Sequence, residues 1–325
     1  MSLHRRKLMR LAVGIIALPA VPRIVAAQTY PARPVHLVAG FAAGGPTDVA
    51  ARMIGQWLSE RVGQPFLVEN RPGAGGNLAT ESVVGAAPDG YTLLLAASAN
   101  AINAAVYAKL KFNFIEDIAP VAAIMRQPFV MVTNPAVPAA TVPDFIAYAR
   151  SNPGKVAMAS AGNGTPHHAM GELFKIMTGL TLVHVPYRGE APALTDLLGG
   201  QVQMMFASVS GTIGYLRAGT LRGLAVTTAT RAQMLPDVAT VGDFVHGFDA
   251  SAWLGIGAPK GTSGDIIKRL NSEINRGLAE PKIVARLSDF GGMALPGSPD
   301  EFKQLIADDT RKWAKVVSLA GIKVD

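Results

Sequence analysis

Val38-Ala39-Gly40-Phe41-Ala42-Ala43-Gly44-Gly45-Pro46-Thr47-Asp48 runs from an apolar stretch, through a turn of small residues, into a helical pattern. Met158-Ala159-Ser160-Ala161-Gly162-Asn163-Gly164-Thr165-Pro166-His167-His168 repeats the same grammar. In each, glycines let the backbone turn tightly and a proline stands where a helix begins. The first N–H groups of a helix have no intrahelical partner, so such a place attracts anions. The turns lie roughly 120 residues apart, which fits one per domain. Two of them facing each other would close on a carboxylate from opposite sides.

The α/β pattern extends outward from these turns. Val35–Ala39, Phe66–Val68 and Tyr91–Ala96 read as strands. Thr47–Val62, ended by Gly63, reads as a helix, and a second helix follows the turn Asn70–Asn77. Ser98–Asn103 is polar and reads as a loop. Val121–Thr133 reads as strands broken at Arg126-Gln127-Pro128. The grammar then repeats: a helix from Val142, a strand at Lys155–Ala159, a helix at His167–Met177, a strand at Val183–Val185, a helix at Pro192–Leu198, and strands at Val202–Phe206 and Leu221–Val226. Trp253–Ala258 reads as a return strand, followed by helices at Gly264–Leu278, Lys282–Leu287 and Pro299–Leu319. Strands alternating with helices imply parallel sheets with right-handed crossovers. Chain crossings near 131 and 252 predict a first domain of 28–131 plus 253–325, a second of 132–252, and a hinge between them.

Residues 1–27 are expected to be a signal peptide. Arg5-Arg6-Lys7 is a basic start, Leu11–Leu18 an apolar core too short to span a bilayer, and Val25-Ala26-Ala27 a small-residue cleavage site. Cleavage is placed after about Ala27, with periplasmic export by the Sec or the twin-arginine route. The leader holds five cations and no acid, so its removal lowers the formal charge from +7 to +2. No Lys/Arg cluster with interleaved aromatics occurs, and no nucleic-acid partner is expected. The chain has 49% hydrophobic residues, which argues against disorder, and no cysteine, which excludes disulfides and thiolate sites.

Neighbouring chemistries fail on particular residues. Gly40 to Gly45 has the glycine spacing of a P-loop, but Pro46 stands where the phosphate-binding lysine belongs and has no N–H. Dinucleotide fingerprints fail at Leu78 and at His167. His167 and His168 are adjacent, not four apart as in a helical metal pair, so no metal and no cofactor are expected. Asp48 is read as a dipole partner of its helix, or as an acceptor facing the ligand. Ser160 and Thr165 are donors to a carboxylate or helix caps, and Arg188 is a surface cation or a rim cation.

Taken together, Tyr30-Pro31-Ala32-Arg33-Pro34, Gly44-Gly45-Pro46-Thr47-Asp48, Val68-Glu69-Asn70-Arg71-Pro72-Gly73-Ala74-Gly75-Gly76-Asn77, Pro88-Asp89-Gly90-Tyr91-Thr92-Leu93, Val185-Pro186-Tyr187-Arg188-Gly189 and Ala193-Leu194-Thr195-Asp196-Leu197-Leu198-Gly199-Gly200 resemble the Bug-type solute receptors of tripartite tricarboxylate transporters. The resemblance implies a two-domain, type II-like periplasmic binding fold with the ligand between domains. It implies a small carboxylate ligand (a di- or tricarboxylate, an amino acid or an aromatic acid) held by two pincer loops, in part through water. By motif, the pincers bring Phe41, Ala42, Gly44, Gly45, Thr47 and Asp48 against Ser160, Gly162, Asn163, Gly164, Thr165 and His168. Asn77, Ser98, Asn100, Asn103, Tyr187 and Arg188 are the further cleft positions it implies. The chain departs from the family pattern at Ala207 for an aspartate, which disfavours an amino group on the ligand, at Arg188 for a lysine, which favours a second carboxylate or an aromatic acid, and at Glu190 for a small residue, which cuts the other way if it faces the cleft; the ligand's identity is left open.

The expected function is therefore that of a monomeric, non-catalytic receptor delivering a carboxylate to the membrane subunits of a tripartite tricarboxylate-type transporter. The alternatives are a ligand-sensing partner of a membrane kinase, or a periplasmic hydrolase using Ser160 or Ser98 with His167.

Overall fold

The computed structural model describes residues 30–107 and 109–322. The expected signal peptide lies outside them. In chain order the strands are β1 (Val35–Ala39), β2 (Phe66–Asn70), β3 (Thr92–Ala97), β4 (Ile118–Thr133), β5 (Ala157–Ser160), β6 (Val183–Pro186), β7 (Met204–Ser208), β8 (Arg222–Val226), β9 (Ser251–Pro259) and β10 (Met293–Ala294). The helices are α1 (Pro46–Val62), α2 (Asn77–Val84), α3 (Ser98–Val106), α4 (Phe114–Asp117), α5 (Val142–Ser151), α6 (Pro166–Thr178), α7 (Glu190–Leu198), α8 (Val209–Arg217), α9 (Gly264–Leu278), α10 (Pro281–Asp289) and α11 (Pro299–Ala320).

The strands run in the order β2-β1-β3-β9-β4-β7-β5-β6, with β8 and β10 attached to β4. The β2-β1-β3 ladder is parallel, and so is β6-β5-β7. The two halves thus share one topology, with the first strand in the middle. The antiparallel strands β4 and β9 lie between them, so the sheet is mixed and not purely parallel. β1 is apolar because both its faces are covered: Leu37 and Ala39 are buried on one and Val38 on the other.

Two expectations fail here. First, β4 is one continuous strand across Arg126-Gln127-Pro128. Pro128 is the last residue paired with β9, and Phe129 is the first paired with β7. The missing N–H therefore falls where the strand changes partners, and Pro120 adjoins a bulge in the same ladder. Second, Ser98–Asn103 is the start of α3, not a loop. Asn100 Oδ1 accepts the Ala97 N–H at 2.8 Å, and Asn100 Nδ2 donates to Thr80 Oγ1 at 2.9 Å. Ile102 and Val106 bury the apolar face.

The C-terminal helix ties the halves together. Near its start Phe302 and Ile306 pack with Val38, Leu94 and Trp253. Further on, Trp313, Val316 and Val317 belong to the core built by Phe129, Phe145, Phe174 and Phe206.

Candidate functional site

In open α/β sheets the ligand crevice lies beyond the carboxyl ends of the strands, where strand order reverses. In this chain that rule picks the ends of β1 and β3 in one half and of β5 and β7 in the other. The turn after β1 is Gly40–Gly45, and the turn after β5 is Ala161–Thr165. Each feeds a helix with proline in its first turn and with no side-chain cap on its N-terminus: Gly45 precedes α1 and Thr165 precedes α6. The helices α5, α8, α9 and α11 have their N-termini capped by Thr141, Ser208, Ser263 and Ser298, whereas α2, α7 and α10 also lack a side-chain cap; what sets α1 and α6 apart is their place after the middle strand of each parallel ladder. Two uncapped N-termini at equivalent places in the two halves leave N–H donors unspent.

A chain of contacts links the two turns. A Cβ on Gly40 would stand 2.7 Å from Gly76 Cα, and one on Gly76 would stand 3.4 Å from the Phe41 ring. Asn103 Nδ2 donates to the Gly75 carbonyl at 2.8 Å and to Asn77 Oδ1 at 3.1 Å. A Cβ on Gly164 would lie 3.4 Å from Val106 and 3.8 Å from Asn103 Oδ1. The second turn therefore rests on α3, which in turn holds the loop beside the first turn. Asn77 is 5% exposed, and its Nδ2 has no hydrogen-bond partner. A buried amide donor without a partner is rare.

Several expected ligand groups serve the turns themselves. Asp48 Oδ2 accepts the Gly44 N–H at 2.9 Å and Arg52 Nε at 3.0 Å. Arg52 is the main cause holding the Asp48 carboxyl below its ordinary range. In the second turn, Ser160 Oγ accepts the Gly162 N–H, Thr165 Oγ1 donates to the Gly162 carbonyl, and His168 Nδ1 accepts the Gly164 N–H at 3.3 Å. Ala42 and Asn163 are exposed, Gly45 is half-buried and Thr47 is buried. Ser98 is buried at the first position of α3, while Asn100 is spent on Ala97 and Thr80. Tyr187 donates its hydroxyl to Asp196 at 2.6 Å, and Arg188 is exposed.

Ser160 meets a histidine, but it is His184 on β6 and not His167: Oγ and Nε2 are 2.6 Å apart. Parallel pairing of β5 with β6 sets Met158 beside His184, two residues from Ser160. His184 also stacks on His168 at 3.7 Å. Burial, aided by His168, pushes its pKa down to about 4. The unfolded chain protonates His184 near pH 6.5, whereas the folded chain resists until about pH 4. Between those values the unfolded state binds more protons, so stability falls as pH falls through the window. Replacing His184 by glutamine is expected to flatten that slope in denaturation curves taken across the window; an unchanged slope would show that His184 titrates freely in the fold.

Two parallel α/β halves, two antiparallel strands joining them and paired open helix N-termini define a binding protein of the periplasmic type. Residues 50–322 match the family described as "Tripartite tricarboxylate transporter family receptor", and the chain belongs to that family. It is 37% identical to Protein BugT of Bordetella pertussis, over 96% of this chain and 97% of that protein. Among solved structures it is similar to R. palustris Rpa4515 with adipate, at 35% identity, TM-score 0.81, and coverage of 91% of this chain and 100% of the other. It is also similar to MatC from Rhodopseudomonas palustris with bound malate, at 32% identity, TM-score 0.77, and coverage of 89% and 100%.

The fold also supplies a residue that the sequence pattern passed over, Ser208, and a partnership between His167 and Glu190 that it did not join. Ser208 caps α8 and binds Glu190, and His167 lies beside that carboxylate. Both partners of Glu190 lie far from it in sequence, and no short motif joins them.

Proposed function

We propose that this chain is an exported receptor that captures a small carboxylate between its lobes and delivers it to the membrane subunits of a tripartite tricarboxylate-type transporter. The carrying observation is the pair of uncapped helix N-termini, α1 and α6, at equivalent strand ends of the two halves. Asn77, buried with an unpartnered Nδ2, adds a donor beside them. The relatives solved with adipate and with malate support a carboxylate ligand. We place the lobes at 28–131 plus 253–325 and at 132–252, cleavage after about Ala27, and the mature monomer in the periplasm. Ligand contacts that span both lobes favour the closed state, and only such differential contacts shift the balance. No catalytic step is assigned: Ser160 and His184 brace a turn.

The test is a thermal-shift screen of residues 28–325 against mono-, di- and tricarboxylates, amino acids and aromatic acids, followed by calorimetry. At a hundredfold excess over Kd, the matching acid is expected to stabilise the protein by about 2.7 kcal/mol. Failure of every carboxylate in both measurements would remove the receptor assignment.

A further inference from the structure

Three helices of the second half begin close together. His167 is the second residue of α6, Glu190 is the first of α7, and Ser208 is the cap of α8. Glu190 Oε1 accepts the Ser208 N–H at 2.6 Å, and Oε2 accepts the Ser208 hydroxyl at 2.8 Å. Ser208 Oγ in turn accepts the Gly211 N–H. Gly211 leaves room for this arrangement, since a Cβ there would stand 2.8 Å from Ser208 Oγ and 3.2 Å from Glu190 Cδ. The carboxylate is thus seated in a built cradle. Burial pushes the Glu190 carboxyl up, but His167 and the Ser208 donors more than offset that and hold it below the ordinary carboxylate range. It is an anion at neutral pH.

Capping of α8 accounts for Glu190, and His167 favours its ionised form, but neither role occupies the His167 nitrogens. Both ring nitrogens of His167 are buried, and neither makes a hydrogen bond. Nε2 lies 3.6 Å from Glu190 Oε1, beyond hydrogen-bond length. Phe129, on the strand that passes between the halves, holds the ring edge-on at 4.8 Å. Buried polar atoms nearly always have partners, so two bare nitrogens beside an anion mark a place built for a polar group of something else. The side chains of His167 and Glu190 keep 12% and 24% of their surface open, so the corner lies near the surface although the ring nitrogens themselves are covered.

We propose that His167 and Glu190 select the ligand's second functional group, and that this group is a hydrogen-bond donor: an ammonium by preference, an amide or hydroxyl next. The proposal rests on the receptor assignment above, in which the two turns take the ligand's carboxylate. An ionised, already seated Glu190 accepts from a donor and repels a second carboxylate. That repulsion is how a site rejects a near-isosteric competitor. The inferred ligand class is therefore amino or amide acids, with plain dicarboxylates disfavoured.

The experiment uses three acids of equal chain length: 5-aminopentanoate, glutaramate and glutarate. Their affinities for residues 28–325 are measured by calorimetry for the wild type, Glu190→Gln and His167→Gln, with apo melting curves to check folding. The wild type is expected to bind 5-aminopentanoate at least about tenfold more tightly than glutarate. Glu190→Gln should collapse or invert that ratio by about tenfold or more. His167→Gln should lower it several-fold, and it keeps the test decisive if Glu190→Gln does not fold. A mere cap on α8 would lower all three affinities in parallel and leave the ratio unmoved. Binding with an unmoved ratio, or a wild type that prefers glutarate, overturns this proposal while leaving the receptor assignment intact. If these three acids fail but panel acids bind, a preference for dicarboxylates over amino acids in the panel overturns this proposal and the reverse preference supports it; failure of the whole carboxylate panel overturns both.

Discussion

Replacing Trp313 by alanine is expected to lower the unfolding free energy by about 3–5 kcal/mol, the usual range for emptying a buried indole site. Trp313 is fully buried. It lies where α11 leaves the Phe302 and Ile306 cluster and joins the core of Phe129, Phe145, Phe174 and Phe206. The cavity would therefore open at the join between the halves, where neighbouring elements from both must move together to fill it. Trp313→Phe separates volume from polarity. The Trp313 Nε1 is buried without a hydrogen bond, and the neighbouring Asp309 carboxylate keeps its bond from Trp253 Nε1, so losing that N–H leaves no group without a partner, and phenylalanine keeps most of the volume. That variant should cost under about 1.5 kcal/mol. Urea denaturation of the ligand-free protein reads both. A loss below about 1 kcal/mol for Trp313→Ala would show that α11 does not bind the halves together as its packing indicates.

The features written in neighbouring residues were legible; those made by distant ones were not. Gly44-Gly45-Pro46 and Gly164-Thr165-Pro166 announce strand, turn and helix within a few positions, and α1 and α6 begin at those prolines. Ser98–Asn103 misled because its polarity looks like solvent exposure. Asn100 and Asn103 are in fact buried, and their amides are satisfied by Thr80, Gly75 and Asn77. Such long-range hydrogen bonds override local preference and have no sequence period. The same holds for Pro128, whose place in β4 depends on which strand lies beside it. In the site, Ser160 was visible but its partner was not. Only the β5–β6 register identifies His184 in place of His167. The Glu190–Ser208 bond likewise requires β7 to end beside the start of α7.

Gly162→Val is expected to reduce carboxylate affinity by about a hundredfold or more while lowering stability by only about 1–3 kcal/mol. Gly162 has φ +125, and a Cβ there would stand 3.2 Å from the Tyr187 carbonyl. Its N–H binds Ser160 Oγ, and its carbonyl takes both the N–H and the hydroxyl of Thr165. Valine cannot hold that backbone geometry, so the turn must rearrange and carry the N-terminus of α6 with it. The turn lies outside the apolar clusters, which limits the cost to the fold. Affinity has no such buffer, because a carboxylate held by several charge-assisted hydrogen bonds loses ~1.5–3 kcal/mol for each one misplaced. Gly179→Ala is the matched control. It sits at the other end of α6, has φ +69, and would meet nothing within 4 Å. It should cost about 1 kcal/mol of stability and leave affinity alone. Calorimetry beside denaturation of the two variants separates the outcomes: if Gly162→Val loses affinity no faster than Gly179→Ala does, the second turn is a packing device and something else grips the ligand.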